Sequence, residues 1–329
     1  MDKTTRFTVI SFCQQAWASR GVCAETAPRS SKEIRAISNL YLFNGTLAAI
    51  AWDELRYDCT GKTIFHPELM GNLSESNTKT IFPGEVFADT AQFDRGIRTL
   101  LPRYDEMLDA IARCAGTVLE PAAQNGTAKI LELGCGTGEL TRQLLSRYRQ
   151  VEVVAVDYSA RMLQTAQTKM AAEGYENRVR WIEADFGAWA NGENEELTAA
   201  IGGGIHASVS TLAIHHLSDE MKQKLLGRIC QSLQPGGCFF NADPTLPEND
   251  AVARLHESIR EEWAASQGTT MEAVRAQIGN SQPYGYSGKD CLATLTDQLQ
   301  MLKLAGFNPV TVPWKYYNLA IYGGFVPTR

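Results

Sequence analysis

The segment TLAIHHLSDE, residues 211–220, sets two of the chain's five histidines side by side. Adjacent imidazoles ahead of an acidic stretch are candidates for proton transfer or metal ligation. A metal site needs at least a third ligand. Asp243 and His256 could supply one in principle, but no ligand spacing ties either to the pair, so no metal is expected. His215, His216 and Asp243 are therefore the candidate catalytic residues, with a positioning role ranked above that of a general base.

A second pattern, ILELGCGTGEL at 130–140, runs an apolar strand into Gly134, Gly136 and Gly138 and then into a helix. Glycines permit a tight turn and let backbone N–H groups approach a ligand closely, and the helix start beyond favours negative charge. A dinucleotide site would use G-x-G-x-x-G and needs a small residue at 139, where this chain has Glu139. The spacing here is G-x-G-x-G, with Glu132 ahead of the first glycine. A carboxylate there disfavours a pyrophosphate and suits a ligand that brings cationic charge. Asp157 ends the next strand, where a carboxylate can accept both ribose hydroxyls. Asp185 ends the third, placed for an adenine amino group with Phe186 beside the ring.

The elements that must position these residues alternate. KILELG, VEVVAVD, RVRWIEAD, IHASVSTLAI and GGCFFNAD read as five strands separated by amphipathic helices, such as ELTRQLLSRY and SARMLQTAQTKMAAEG. That alternation predicts a parallel sheet covered on both faces. The end departs from it. After the helix DCLATLTDQLQMLKLAG, two strands follow with no helix between them, implying an antiparallel pair. An insertion at 244–289 carries a helix with Val252, Leu255, Ile259 and Trp263 on its apolar face, and the loop GNSQPYGYSG. Residues 81–128 read as helical, broken or restarted at Pro102. Residues 1–80 read as a helical extension, with two helices split at Asn44-Gly45.

Composition narrows the class. At 44% hydrophobic and 21% charged residues, the 329-residue chain reads as a globular protein large enough for a full core. The net charge of −6, without any Lys/Arg run, argues against a nucleic-acid partner. No apolar run reaches the length of a membrane span, and eight cysteines without a C-x-x-C pair suit reduced thiols in the cytoplasm.

Residues 129–243 resemble the class I S-adenosylmethionine-dependent methyltransferases. LELGCGTG is similar to their first motif, VVAVDYS to the second and WIEADF to the third. STLAIHHL and LQPGGCFFNAD resemble their fourth and fifth strand segments, and LKLAGFNPVTVPWKYYNLAIYGG their closing strands. FADTAQFDRGIRTLLPRYDEML, 87–108, resembles the leader helices of a subgroup related to the enzyme that makes carboxy-S-adenosylmethionine.

The resemblance implies a Rossmann-like α/β fold: a seven-stranded sheet, parallel with an antiparallel terminal strand. A helical leader at 81–128 would cover the cofactor site, and 129–329 would form the S-adenosylmethionine-binding domain. The implied cofactor is S-adenosyl-L-methionine, with S-adenosyl-L-homocysteine as product. Its implied contacts are Gly134, Cys135, Gly136, Gly138, Asp157, Tyr158, Met162, Asp185, Phe186 and Ser210, with Arg98 a candidate for its carboxylate. The expected partner is a small-molecule acceptor, with Trp263, Tyr284, Tyr286 and Trp314 as possible pocket walls. The first 80 residues could cover the acceptor or pair two copies as a homodimer. Competing readings are a carboxy-S-adenosylmethionine-type or RNA-modifying enzyme, a cofactor-binding regulator without turnover, and a dinucleotide oxidoreductase.

Overall fold

The computed structural model describes residues 41–43, 46–48, 90–277 and 290–328. Contacts divide the chain into two compact units, residues 1–77 and 78–329. In the first unit, strands β1 (Tyr41–Phe43) and β2 (Thr46–Ala48) pair antiparallel, with Leu42 opposite Leu47. A helix was expected over these residues. Instead, aromatic and β-branched residues flank Asn-Gly, the pair most favoured for a two-residue hairpin connection. The remaining expectations for residues 1–80 lie outside the described residues, as do Tyr284 and Tyr286.

The second unit is built on seven strands: β3 (Ala128–Leu133), β4 (Val151–Asp157), β5 (Val179–Glu183), β6 (Ile205–Thr211), β7 (Leu233–Pro244), β8 (Val310–Tyr316) and β9 (Leu319–Phe325). Their order is β5-β4-β3-β6-β7-β9-β8. The pairs from β5 across to β7 are parallel, whereas β9 runs antiparallel to both β7 and β8. The expected sheet and its antiparallel ending are therefore both present. Strand order reverses between β3 and β6, and open sheets of this kind bind ligands at that crevice.

Alternation along the buried strands feeds two cores. Ile130 faces one layer, with Leu108 and Ile111 of α2 (Tyr104–Ala123), Leu144 of α3 (Glu139–Arg147) and Leu163 of α4 (Ala160–Ala172). Leu131 and Leu133 face the other, with Trp189 of α5 (Phe186–Ala190), Leu197 of α6 (Glu195–Ile201), Leu225 of α7 (Asp219–Ser232) and Leu302 of α10 (Leu295–Ala305). Burying each such side chain contributes about 1.5–3 kcal/mol, which outweighs the modest helix propensity of any single turn.

Two elements cap the carboxyl end of the sheet. The leader helix α1 (Thr90–Leu100) is separated from α2 by a break containing Pro102, with Arg103 in the left-handed region at φ 63°. The insertion supplies α8 (Asp250–Ser266) and α9 (Met271–Gln277), and both pack on α1. Of the apolar face expected on α8, Val252, Ile259 and Trp263 are half-buried, and the exception is Leu255. Arg260 and Ala264 are buried, while Leu255 is 48% exposed. No helix among the described residues is long and apolar enough to cross a membrane.

The antiparallel edge tolerates no side chain at Gly323. A Cβ there would lie 2.0 Å from the Phe239 carbonyl oxygen and 2.6 Å from the Phe240 ring, within the β7–β9 pairing. Gly323→Ala is expected to destabilise the protein by about 1–3 kcal/mol through overpacking. Urea denaturation measures this, and an unchanged midpoint would show that β9 shifts freely.

Candidate functional site

The glycine turn leaves β3 with Gly134, Gly136 and Gly138 all at positive φ (70°, 52° and 82°). Gly134 has a second constraint, because a Cβ there would meet that of Ala213 at 2.3 Å. The turn is held from β4. The N–H groups of Gly134 and Cys135 donate to the Val156 carbonyl, and that of Gly136 donates to Asp157 Oδ2 at 2.8 Å. The other Asp157 oxygen accepts from the Ser159 N–H at 2.9 Å, while Ser159 caps α4. One buried carboxylate thus fixes two adjacent loops of the crevice.

Glu132 is fully buried one residue before the end of β3. Its Oε2 accepts from the Thr141 hydroxyl at 2.6 Å, while Oε1 has no hydrogen-bond partner among the described residues. Burial, reinforced by the nearby Asp157 charge, pushes its pKa up to about 8 despite the Thr141 hydrogen bond. A ligand that brings positive charge or N–H donors to this atom would relieve a buried, half-satisfied carboxyl. The amino and sulfonium groups of S-adenosylmethionine have that chemistry, so the residues present fit it.

Glu139 is different. It opens α3, but Arg98 reaches it at 2.5 Å and Lys169 at 3.1 Å, and these partners outweigh burial and lower its pKa. Glu132, rather than Glu139, is the turn's unmatched carboxyl. Arg98 also bonds Asp105 at 2.9 Å and the Asp94 carbonyl at 2.7 Å. Its guanidinium thus ties the leader to α3. Asp94 completes the network, accepting from Thr137 Oγ1 at 2.5 Å and pairing with Lys169.

The remaining sequence-nominated residues surround the same crevice. Asp185 caps α5, accepting the Gly187 N–H at 2.7 Å, and is itself exposed. Phe186 is half-buried, and its ring edge would lie 3.7 Å from a Cβ on Gly134. Met162 and Cys135 are buried, and Tyr158 is half-buried. The Ser210 hydroxyl donates to the Leu133 carbonyl at 2.8 Å, locking the end of β6 to β3. Trp314 donates instead to Glu106 at 2.9 Å, and the His256 ring packs edge-on against Tyr317.

After Ala213, a short 3₁₀ turn (Ile214–His216) carries the histidine pair, and Ser218 caps α7. His215 is buried, with Nδ1 2.8 Å from Asp243 Oδ1 and its backbone N–H on Asp243 Oδ2 at 3.0 Å. Asn241 Nδ2 donates to the same carboxylate at 2.7 Å and to the Tyr322 oxygen at 2.8 Å. Burial opposes charge on His215, but Asp243 and Asp290 outweigh it and raise its pKa. His216 is shifted down, by burial and then by the neighbouring His215.

The two imidazoles lie side by side in this turn. Their ring centroids lie 4.0 Å apart and both approach Asp290, His216 Nδ1 at 2.8 Å and His215 Nε2 at 3.8 Å. Sequence reasoning missed Asp290. It follows the insertion and belongs to no motif, and only its junction position before α10 hinted that it returns to the sheet.

Residues 130–237 match the family model described as a methyltransferase domain. Over this span the chain is similar to the class I S-adenosylmethionine-dependent methyltransferases. Among its methyltransferase relatives is an uncharacterized methyltransferase of Geobacillus kaustophilus, 32% identical over 51% of this chain and 66% of that protein. A carboxy-S-adenosyl-L-methionine synthase of Campylobacter lari is 24% identical over 71% of this chain and 90% of that protein. A trans-aconitate 2-methyltransferase of an Azoarcus species is 31% identical over 50% of this chain and 57% of that protein.

The Glu132 carboxyl gives this crevice a pH signature. Its ordinary value is 4.5 and burial raises it to about 8. Between those values the folded protein keeps a proton that the unfolded chain has lost, so stability falls as pH rises through this window. Urea denaturation without ligand should show wild type losing more stability between pH 5 and pH 8 than Glu132→Gln. Equal losses would contradict a buried, proton-holding carboxyl.

Proposed function

We propose that the chain binds S-adenosylmethionine in the β3–β6 crevice and transfers its methyl group to a small-molecule acceptor. The observation that carries this reading is Glu132 Oε1, buried without a hydrogen-bond partner beside a glycine turn that Asp157 holds open. The cofactor supplies, when bound, a methyl group already activated by a positively charged sulfur. What is left to the protein is placement and exclusion of water, which can account for about 7–11 kcal/mol of barrier lowering.

Each part of the chain has a task in that scheme. Gly134, Cys135, Gly136 and Gly138 shape the turn, Glu132 offers its oxygen to positive charge, and Asp157 orders both loops while facing the ribose position. Asp185, Phe186, Tyr158 and Met162 would surround the adenine. The helices α1, α8 and α9 close the carboxyl end of the sheet against water. Ala213 abuts the glycine turn, so the His215–His216 turn stands next to the cofactor crevice. That wall is where the acceptor is held. Asp243 fixes the His215 ring and its tautomer, leaving Nε2 toward the acceptor side. A general base is needed only for an acceptor that must lose a proton.

The carboxy-S-adenosyl-L-methionine synthase relative matches more of both chains, which supports a second reading. A carboxylated cofactor would call for a cationic side chain at the methyl position. No side chain was nominated for that position, Arg98 being the candidate for the cofactor's own carboxylate and bonded to Glu139, Asp105 and the Asp94 carbonyl. The small-molecule methyl transfer is therefore preferred.

Calorimetric titration with S-adenosylhomocysteine and with NAD tests the cofactor assignment. One S-adenosylhomocysteine per chain and no NAD are expected, with at least a tenfold loss in Asp157→Ala. Because Glu132 holds a proton at pH 7, binding should release it, and the measured heat should change with the buffer's ionisation enthalpy. That change should vanish in Glu132→Gln. NAD binding without S-adenosylhomocysteine binding would sink the reading.

A further inference from the structure

The geometry points to a divalent first-row transition-metal site of the zinc class, formed by His215, His216 and Asp290 on the acceptor wall. One ligand atom from each lies within 4.8 Å of the other two. His216 Nδ1 and Asp290 Oδ1 are 2.8 Å apart, and His215 Nε2 is 3.8 Å from the same oxygen. Around a tetrahedral zinc ion with bonds of about 2.0–2.1 Å, neighbouring ligand atoms sit roughly 3.3 Å apart. The two measured separations bracket that value.

Three further observations separate this cluster from an ordinary ion pair. His216 Nδ1 and Asp290 Oδ1 are both buried, and despite their closeness neither has a hydrogen-bond partner of proper alignment among the described residues. The Asp290 side chain is only 6% exposed, so water does not compensate it. An ion between the two would satisfy both atoms, each of which otherwise costs about 1–3 kcal/mol. His215 also has the second hydrogen bond that metal-bound histidines carry. Its Nδ1 is bonded to Asp243, which Asn241 and the His215 backbone hold in turn, so the Nε2 lone pair is aimed toward Asp290.

The surrounding charge is compatible with a cation. Lys222 is the buried cation nearby, but its ammonium is bonded to Asp219 at 2.8 Å and to the Cys291 carbonyl, leaving Asp243 and Asp290 to face the site. Two imidazoles and one carboxylate are a ligand set suited to zinc and its neighbours. Three protein ligands leave a coordination position open. Resting on the acceptor placement proposed above, this inference names the acceptor class. It is a small molecule that binds the ion through a hydroxyl or thiol, whose proton is then lost to solvent more readily.

The test uses the full chain, stripped with chelator and titrated with Co²⁺ as a spectroscopic probe, with S-adenosylhomocysteine binding measured on the same samples. One Co²⁺ per chain with a tetrahedral or five-coordinate visible spectrum is expected, displaced by Zn²⁺. Asp290→Asn and His216→Gln should each weaken Co²⁺ binding at least 100-fold, and Asp243→Asn about 10–100-fold. S-adenosylhomocysteine affinity should stay within threefold in all three variants, which also shows that they fold. Failure of wild type to bind Co²⁺, or equal binding by Asp290→Asn, overturns the metal site. Failure to bind S-adenosylhomocysteine while Co²⁺ still binds would instead overturn the cofactor reading and leave the metal site standing.

Discussion

The carboxylate of Asp157 is the contact on which the crevice depends. Sitting at the end of β4, it takes one backbone N–H from the glycine turn after β3 and another from the loop entering α4. Between them, the glycine turn and the loop entering α4 place only Cys135 in the apolar core. Three positive-φ glycines in five residues make a flexible segment whose ordering is entropically expensive. Charge-assisted hydrogen bonds from a buried acceptor are among the stronger local restraints available. The seven-stranded sheet supplies the rigid base, and Asp157 transmits that rigidity to a turn that would otherwise be mobile.

Much of this was legible in the sequence because burial and periodicity report the same thing. The apolar strands separated by amphipathic helices specify a sheet covered on both faces, and the missing final helix specifies the antiparallel ending. Each long element is over-determined by several buried side chains. Short elements are not. The hairpin at 41–48 and the exposure of Leu255 on α8 were misread, because the first depends on turn chemistry and the second on packing against α1 and α9. No periodicity in one segment encodes its neighbour's surface.

The site was legible by halves. Glycines and strand-end acids announce themselves because their backbone roles demand particular residue types at fixed offsets. Side-chain partnerships across long sequence separations do not. Arg98 pairs with Glu139 and His216 meets Asp290 only because the sheet brings leader, glycine turn and insertion to one end. The histidines could be singled out as reactive, yet their shared carboxylate lay beyond the insertion.

The leader is fastened in two physically different ways. Ile97, Leu100 and Leu101 are buried in the core, while Arg98, Asp94, Glu139 and Lys169 form an ionic clasp to α3 and α4. Simple salts screen the clasp, and strongly hydrated anions such as sulfate strengthen apolar burial. The grip of α1 is therefore a quantity that the solvent sets, with chloride loosening one fastening and sulfate tightening the other. The hold on α1 depends on ion type as well as ion concentration.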